Sequence, residues 1–197
     1  MKNKVREYIT KDERNLLLRQ PDQRTLLGVR DYAILQLMLN TGMRRQEVCD
    51  LNRDSLKTEG KKIFLYVWGK GGRQRRLPIR HVDLILALER YLKMAGHIDV
   101  PESPMFFSVK FCRTRGRPRI TASTVRFLVA RYVRQAGIKK HISPHSLRHT
   151  FCTLTLQSGA DLATVQALAG HTNISTTSRY LHTSEELMEK AVERLAL

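Results

Sequence analysis

The chain has 197 residues, of which 35 are Lys or Arg and 18 are Asp or Glu, so its formal charge is +17. This length suits one domain, and an apolar content of 42% suffices for a sizeable core. The excess charge predicts a polyanionic partner such as nucleic acid, and the lack of a long apolar run argues against a membrane protein.

Helical periodicity and capping residues recur along the chain. They predict helices over residues 11–19, 25–40, 44–51, 81–94, 121–136, 143–158, 162–168, 175–181 and 185–196. After the third helix, residues 63–68 and 74–79 predict a β-hairpin with Lys70 at or beside its Gly-rich turn. The result is an α+β, mainly α fold, a helical bundle with one small antiparallel β-sheet.

The three cysteines argue against a disulfide framework or a zinc finger, because the count is odd and no C-x-x-C spacing occurs. Cys49 and Cys152 fall in apolar helical patterns and are predicted to be buried thiols. The first residues lead into no apolar segment of a secretory signal, which predicts a cytoplasmic, nucleoid-associated protein.

The segment from residue 143 to residue 182 contains a His, an Arg, a second His and a Tyr in an ordered arrangement. Ser143 is a good N-cap with Pro144 at the first helical position, so His145 and Arg148 fall on one face of the first turns. Free N–H groups at that end favour an anion.

These residue types make a poor metal site, since Arg is not a ligand, but they suit a phosphodiester. Arg148 can grip non-bridging oxygens, His145 and His171 can add hydrogen bonds, and Tyr180 is a candidate nucleophile.

The motifs HSLRH, LAGH and the Tyr nine residues after it closely resemble those of the tyrosine recombinase (phage integrase) family. TGMRRQEVCDL is similar to that family's first arginine motif, and GKG to the tip of its β-hairpin. Ala169 stands where the family usually has a larger apolar residue, a difference that concerns packing. The resemblance covers nearly the whole chain, from about Tyr8 onward.

The resemblance implies a site-specific DNA recombinase or integrase that cleaves and rejoins strands through a 3′-phosphotyrosyl intermediate. Its six implied catalytic residues are the nucleophile Tyr180, the general acid Lys70, the charge-stabilising Arg44, Arg148 and His171, and His145 as a hydrogen-bond donor or base. No cofactor is implied, neither ATP nor a divalent metal. Two alternatives are a type IB topoisomerase and a non-catalytic DNA-binding relative.

By the same resemblance, residues 1–197 form one tyrosine recombinase catalytic domain, without the family's N-terminal core-binding domain. The implied partner is double-stranded DNA, bound by a homotetramer. Without DNA, a monomer is also consistent with the resemblance. An accessory DNA-bending protein or a partner recombinase is a further implied partner. The helix over residues 185–196 packs either into a neighbouring subunit or on its own core.

Five further arginines are predicted to contact DNA: Arg73, Arg75, Arg115, Arg117 and Arg119. The run RGRP over residues 115–118 resembles a minor-groove AT-hook, but the pattern favours a basic loop that touches phosphates without reading bases.

Two other charged positions leave alternatives open. Glu47 either orients Arg44 or Arg148 through a buried ion pair or is a helix-surface charge. The spacing of His141, His145 and His149 invites a zinc site, but Pro144 should place His141 outside the helix, and no H-E-x-x-H glutamate follows. His149 is predicted to be a packing or hydrogen-bonding histidine.

Overall fold

The computed structural model describes residues 7–69, 72–96, 100–109 and 117–170. These residues form seven helices: α1 (Lys11–Leu18), α2 (Leu26–Thr41), α3 (Arg45–Asp50), α4 (Val82–Met94), α5 (Ala122–Gln135), α6 (Pro144–Gln157) and α7 (Leu162–Ala169). They also form three strands, β1 (Leu56–Glu59), β2 (Lys62–Trp68) and β3 (Gln74–Ile79), and a 3₁₀ turn (Arg53–Ser55). The mainly helical α+β prediction is confirmed.

Helix α2 runs through the centre of the molecule. Thr25 caps it by accepting a hydrogen bond of 3.1 Å from the backbone N–H of Gly28. Most of its residues are buried, on every side of the helix, and it packs against both α4 and α6. The predicted apolar stripe is therefore wider than one face, as expected for a helix that other elements surround.

A buried polar cluster fixes the register of α2. Asp31 accepts hydrogen bonds from its neighbour Arg30 at 2.7 and 3.0 Å and from the hydroxyl of Tyr132 on α5 at 3.0 Å. Arg30 also donates to the carbonyl oxygen of Phe107 at 3.0 Å. Because buried polar groups cost free energy unless paired, these bonds hold α2, α5 and the Phe107 segment in one relative position.

The sheet is antiparallel with the order β1-β2-β3. Its inner face adds Leu65, Val67, Leu77 and Ile79 to the core. The predicted hairpin is confirmed, but β1 was not predicted, because LKTE is polar and largely exposed and carries no alternating apolar pattern.

Several smaller predictions can be compared with the described residues. Cys49 and Cys152 are buried thiols, as predicted. Phe106 and Phe107 are fully buried. Cys112 and the helices predicted over residues 175–181 and 185–196 lie outside the described residues. No helix in the described part of the chain is long and apolar enough to cross a membrane.

The turn between α2 and α3 has little room for a side chain. Gly42 ends α2 with a φ of 62°, and a Cβ there would lie 2.3 Å from Cδ1 of Phe151 on α6. This close approach places α6 directly against the turn that leads to Arg44.

We expect Gly42→Ala to destabilise the protein much more than Gly60→Ala. Both glycines have nearly the same φ, 62° and 59°, but a Cβ at Gly60 meets nothing within 4 Å. Both variants carry the left-handed backbone cost of about 1–2 kcal/mol. Gly42→Ala adds an overpacking cost of about 1–3 kcal/mol. Urea denaturation measures both free energies of unfolding, and equal losses would show that Phe151 moves aside freely.

Candidate active site

Arg44 lies at the N-cap of α3, two residues after Gly42. Its Nη1 donates to Oε1 of Glu47 at 2.8 Å, and its Nη2 donates to the carbonyl oxygen of Gly170 at 2.8 Å. Its side chain remains 42% exposed. The guanidinium is therefore held in a fixed orientation while part of it stays open to solvent.

Glu47 is the acid that holds this arginine. Its side chain is only 6% exposed, and it also accepts a hydrogen bond of 2.7 Å from the backbone N–H of Arg44. Burial alone would raise the pKa of Glu47, but hydrogen bonds from Arg75 and Arg44 outweigh burial and lower it. Of the two interpretations of Glu47, the buried ion pair is confirmed, and Arg44 is its partner.

Arg75 on β3 is a second partner of Glu47 that the sequence did not predict. Its Nη1 and Nη2 donate to Oε1 and Oε2 of Glu47 at 2.9 and 2.8 Å, the geometry of a bidentate pair. It faces inward beside Val67, and only 15% of its side chain is exposed. A charged residue at an inward position of a strand requires a buried partner of opposite charge, and that signal could have identified the pair.

Gly170, at the end of α7, completes this contact. It has a φ of 69°, and a Cβ there would lie 3.0 Å from Nη1 of Arg75. The hairpin, α3 and the end of α7 therefore meet around a single carboxylate.

Arg148 on α6 is 3% exposed and has a different environment. Its Nη1 donates to the carbonyl oxygen of Gly42 at 2.7 Å, but its Nη2 has no hydrogen-bond partner among the described residues. Burial, followed by repulsion from Arg44, lowers the pKa of Arg148 to about 10. It is still a cation at neutral pH, with one buried donor left to bind an anion.

The surroundings of Arg148 therefore carry excess positive charge. Arg44 and Arg75 both lower its pKa, whereas Glu47 opposes them. Glu47 pairs with Arg44 and Arg75, and Arg148 adds a third guanidinium group without a carboxylate of its own among the described residues. This surplus of positive charge favours an anion with several oxygens.

The two histidines of α6 have different environments. His145 lies one turn before Arg148 and is exposed. His149 packs edge-on against Tyr8, with ring centroids 5.9 Å apart, which confirms the packing interpretation.

Lys70, His171 and Tyr180 lie outside the described residues, so their roles stay predictions. Described residues adjoin two of them in the sequence. Lys70 follows Gly69, in the segment between β2 and β3, and His171 follows Gly170, whose carbonyl oxygen binds Arg44.

The other arginines predicted to contact DNA have varied environments. Arg73 is exposed, and Arg115 lies outside the described residues. Arg117 donates to the carbonyl oxygens of Ala95 and Gly96 at 2.8 and 2.9 Å. Arg119 donates to those of Cys49 and Leu51 at 2.7 and 2.8 Å. The contacts given for Arg75, Arg117 and Arg119 are internal, and DNA binding by all five stays a prediction.

The zinc alternative gains no support. Helix α6 begins at Pro144, so His141 lies outside it, as predicted. Within the described ranges, no group of three or more His, Cys, Asp or Glu side chains could hold a metal ion.

Comparison with known proteins adds independent information. The model of the phage integrase family matches residues 7–186. A tyrosine recombinase XerC of Bacillus pumilus is 36% identical over 192 residues, covering 95% of this chain and 60% of that protein. A tyrosine recombinase XerA of Pyrococcus horikoshii is 36% identical over 171 residues, covering 86% and 56%. This chain therefore spans less than two thirds of the length of both curated relatives.

Solved structures show the same fold. A crystal structure of XerA recombinase has a TM-score of 0.75 at 27% identity, covering 96% of this chain and 65% of that one. A post-cleavage complex of XerH recombinase with a palindromic difH substrate has a TM-score of 0.80 at 24% identity, covering 96% and 53%. The second likeness shows the fold alone.

We expect sulfate to stabilise the protein by filling the cationic site beside Arg148. At a sulfate concentration several times its Kd, linkage gives about 1 kcal/mol. That corresponds to a rise in Tm of about 2–4 °C for a chain of this size. Differential scanning fluorimetry at matched ionic strength, with chloride as the reference salt, measures the effect.

Arg148→Gln removes the charge and should lose this sulfate response. The control Arg134→Gln removes an exposed charge of α5 and should keep it. Equal sulfate responses in both variants would mean that sulfate binds elsewhere.

We expect Glu47→Gln to lower the free energy of unfolding at neutral pH and to have little effect on it in acid. The pKa of Glu47 is lowered on folding, so its carboxylate stabilises the fold above the ordinary value of 4.5. That stabilisation is lost as the pH falls through the lower folded pKa. At pH 7 the loss of one partner from a buried pair should cost about 3 kcal/mol or more.

Urea denaturation between pH 3 and pH 7 measures the difference in unfolding free energy between the parent and Glu47→Gln. Glu89→Gln, at an exposed position of α4, should differ little from the parent throughout. If the loss of unfolding free energy caused by Glu47→Gln does not shrink below pH 4.5, the pKa of Glu47 is not lowered by folding.

Proposed function

The chain belongs to the phage integrase family, and on that premise we propose that it is a tyrosine-type site-specific DNA recombinase. Its reaction would cleave and rejoin DNA strands through a 3′-phosphotyrosyl intermediate, with double-stranded DNA as substrate. Curated relatives at 33–36% identity named tyrosine recombinases support the proposal. We assign this activity to residues 1–197 as one catalytic domain.

The observation that carries the proposal is the meeting of Arg44 and Arg148 beside Gly42. They come from different helices, and Arg148 keeps an unpartnered buried Nη2 while Arg44 stays partly open. Two guanidinium groups arranged in this way can hold the non-bridging oxygens of one phosphate. As negative charge grows on those oxygens in the transition state, both arginines stabilise it without prior rearrangement.

The proposed chemistry conserves bonds and protons. The phenolic oxygen of Tyr180 attacks the scissile phosphorus, and the bond from phosphorus to the 5′-oxygen breaks. His145 accepts the phenolic proton; if it instead only donates a hydrogen bond, that proton passes to solvent water. His171 donates a hydrogen bond to the phosphate. Lys70 protonates the leaving 5′-oxygen, which a guanidinium could not do readily.

Rejoining reverses these steps. A 5′-hydroxyl from another strand attacks the phosphotyrosine and releases Tyr180. Because the bond energy is kept in that intermediate, neither a nucleotide nor a metal ion is required. Exchange between two duplexes needs several active sites at once, so we propose a homotetramer on DNA, with an accessory or partner protein where the site requires one.

We expect the protein to form a covalent complex with DNA through Tyr180. Duplex DNA carrying random single-strand nicks traps such complexes, because a short cleaved fragment diffuses away before rejoining. Denaturing gels detect the complex, and sequencing of the trapped DNA identifies the site. Tyr180→Phe should abolish the complex, whereas Tyr32→Phe should keep it; a chain that traps no DNA would favour a non-catalytic DNA-binding relative.

We expect the role of Lys70 to depend on the leaving group. Lys70→Ala should slow cleavage of the captured site by about 100-fold or more, in the range typical of general acids. A substrate with sulfur in place of the bridging 5′-oxygen needs no proton to leave and should restore the rate. If sulfur brings no recovery, Lys70 is not the general acid.

A further inference from the structure

The outer face of the sheet, turned away from the core, carries an aromatic row. Because side chains alternate along a strand, the core-facing Leu65 and Val67 place Phe64, Tyr66 and Trp68 together on the opposite face. Trp68 is 59% exposed and lies next to the β2–β3 turn. Trp68 therefore offers a large aromatic surface to solvent at the end of this row.

Cations lie over two of these rings. The guanidinium carbon of Arg76 is 4.2 Å from the ring centroid of Phe64, and Nζ of Lys57 is 5.2 Å from that of Tyr66. Phe64 is 9% exposed although it belongs to neither hydrophobic core cluster of the described residues. The side chain of Arg76, which lies over the ring, therefore covers it, while 54% of that side chain remains exposed.

The acidic group described on this face is already neutralised. Glu59 on β1 accepts hydrogen bonds from the hydroxyl of Tyr66 and, at 3.2 Å, from Nη1 of Arg76. The face therefore offers aromatic and cationic groups to a ligand.

A shallow depression of about 480 Å³ lies at the other end of the row. Phe64 and Pro78 contribute apolar surface to it. Its cations are Lys61, Lys62, Arg76 and Arg80, and the described residues that line it include no carboxylate. Such a lining suits a phosphate attached to a flat apolar group.

We propose that this outer face, from Trp68 to the depression, binds single-stranded DNA. Bases stack on Trp68 and on the guanidinium plane of Arg76, while Lys62 and Arg80 bind the phosphates. Alternate residues of a strand are about 6.6–6.8 Å apart. That is roughly twice the 3.4 Å spacing of stacked nucleotides in duplex DNA, so the row fits an extended strand with unstacked bases.

The chemistry favours a single strand over other occupants. Duplex DNA turns its base faces inward, so it could use the cations but not the aromatic row. A protein partner would have to bring its own carboxylates to four cations, whereas a DNA strand carries a phosphate at each nucleotide. The proposal rests on the proposed function and deepens it, because strand cleavage frees a single strand that this face could hold.

The test uses the fact that Trp68 is the single tryptophan of the chain. Its fluorescence reports contact with a base directly, without a label. The protein carries Tyr180→Phe, so that no covalent chemistry contributes. A dT oligomer of about 12 nucleotides should quench the fluorescence saturably, whereas the same sequence paired with dA should quench it far less at equal phosphate concentration.

Substitutions at Trp68 and at the cations separate stacking from charge, with binding followed by the fluorescence anisotropy of a labelled dT oligomer. Trp68→Ala should weaken binding by about 5- to 100-fold, and Trp68→Phe should restore most of it. The pair Lys62→Gln and Arg80→Gln should lower the slope of log affinity against log salt by about 1.4, at about 0.7 per contact. The control pair Arg126→Gln and Arg134→Gln, exposed on α5, should leave the slope unchanged.

The outcomes distinguish this site from the active site. Binding of dT oligomer with unchanged Trp68 fluorescence would overturn the proposal, because the strand then lies elsewhere. Equal quenching by duplex would also overturn it. Neither result depends on strand cleavage. Cleavage by the parent chain without quenching in the Tyr180→Phe protein would refute the outer-face site alone. Quenching in the Tyr180→Phe protein without cleavage by the parent chain would refute the recombinase proposal alone.

Discussion

The carboxylate of Glu47 is the group on which the arginine cluster depends. Without it, Arg44 and Arg75 would be two like charges brought together at low dielectric, where their repulsion is large. One buried acid binds both, through hydrogen bonds of 2.8 to 2.9 Å. The same contact joins α3 to β3, and Arg44 extends it to the end of α7. The geometry of the proposed phosphate site is therefore set by an ion pair that does not itself need to touch the substrate.

Arg148 shows why the site is prepared for an anion instead of being satisfied internally. A buried cation usually has its donors occupied, yet one nitrogen of Arg148 has no partner in the described part of the chain. Keeping that donor unpaired costs stability in the free protein, and a bound phosphate would recover the cost. The other terminal nitrogen, Nη1, donates to the carbonyl oxygen of Gly42 at 2.7 Å, and that bond fixes where the unpaired donor lies.

Sequence patterns predicted most of the fold because local signals agreed with the tertiary structure. The cap at Ser143 and the hairpin over residues 63–68 and 74–79 correspond to real element boundaries. The missing pieces depended on distant partners. Strand β1 is polar and pairs only because β2 lies beside it, and Arg75 resembled a surface charge because its partner, Glu47, lies 28 residues away. The motifs singled out Arg44 and Arg148 and offered Glu47 as an acid for either of them, but they could not show that Glu47 binds Arg44 together with Arg75.

The hydrogen bond from Arg148 to Gly42 joins residues 106 positions apart, and the bond from Arg44 to Gly170 joins residues 126 positions apart. Such long loops close late, because their entropy must be overcome before the contact contributes. A chain still emerging from the ribosome has α2, α3 and the hairpin before α6 exists. Order of synthesis therefore matters for the proposed phosphate site: a partly synthesised molecule has Arg44 but not Arg148, and the two arginines can meet only after α6 has been made.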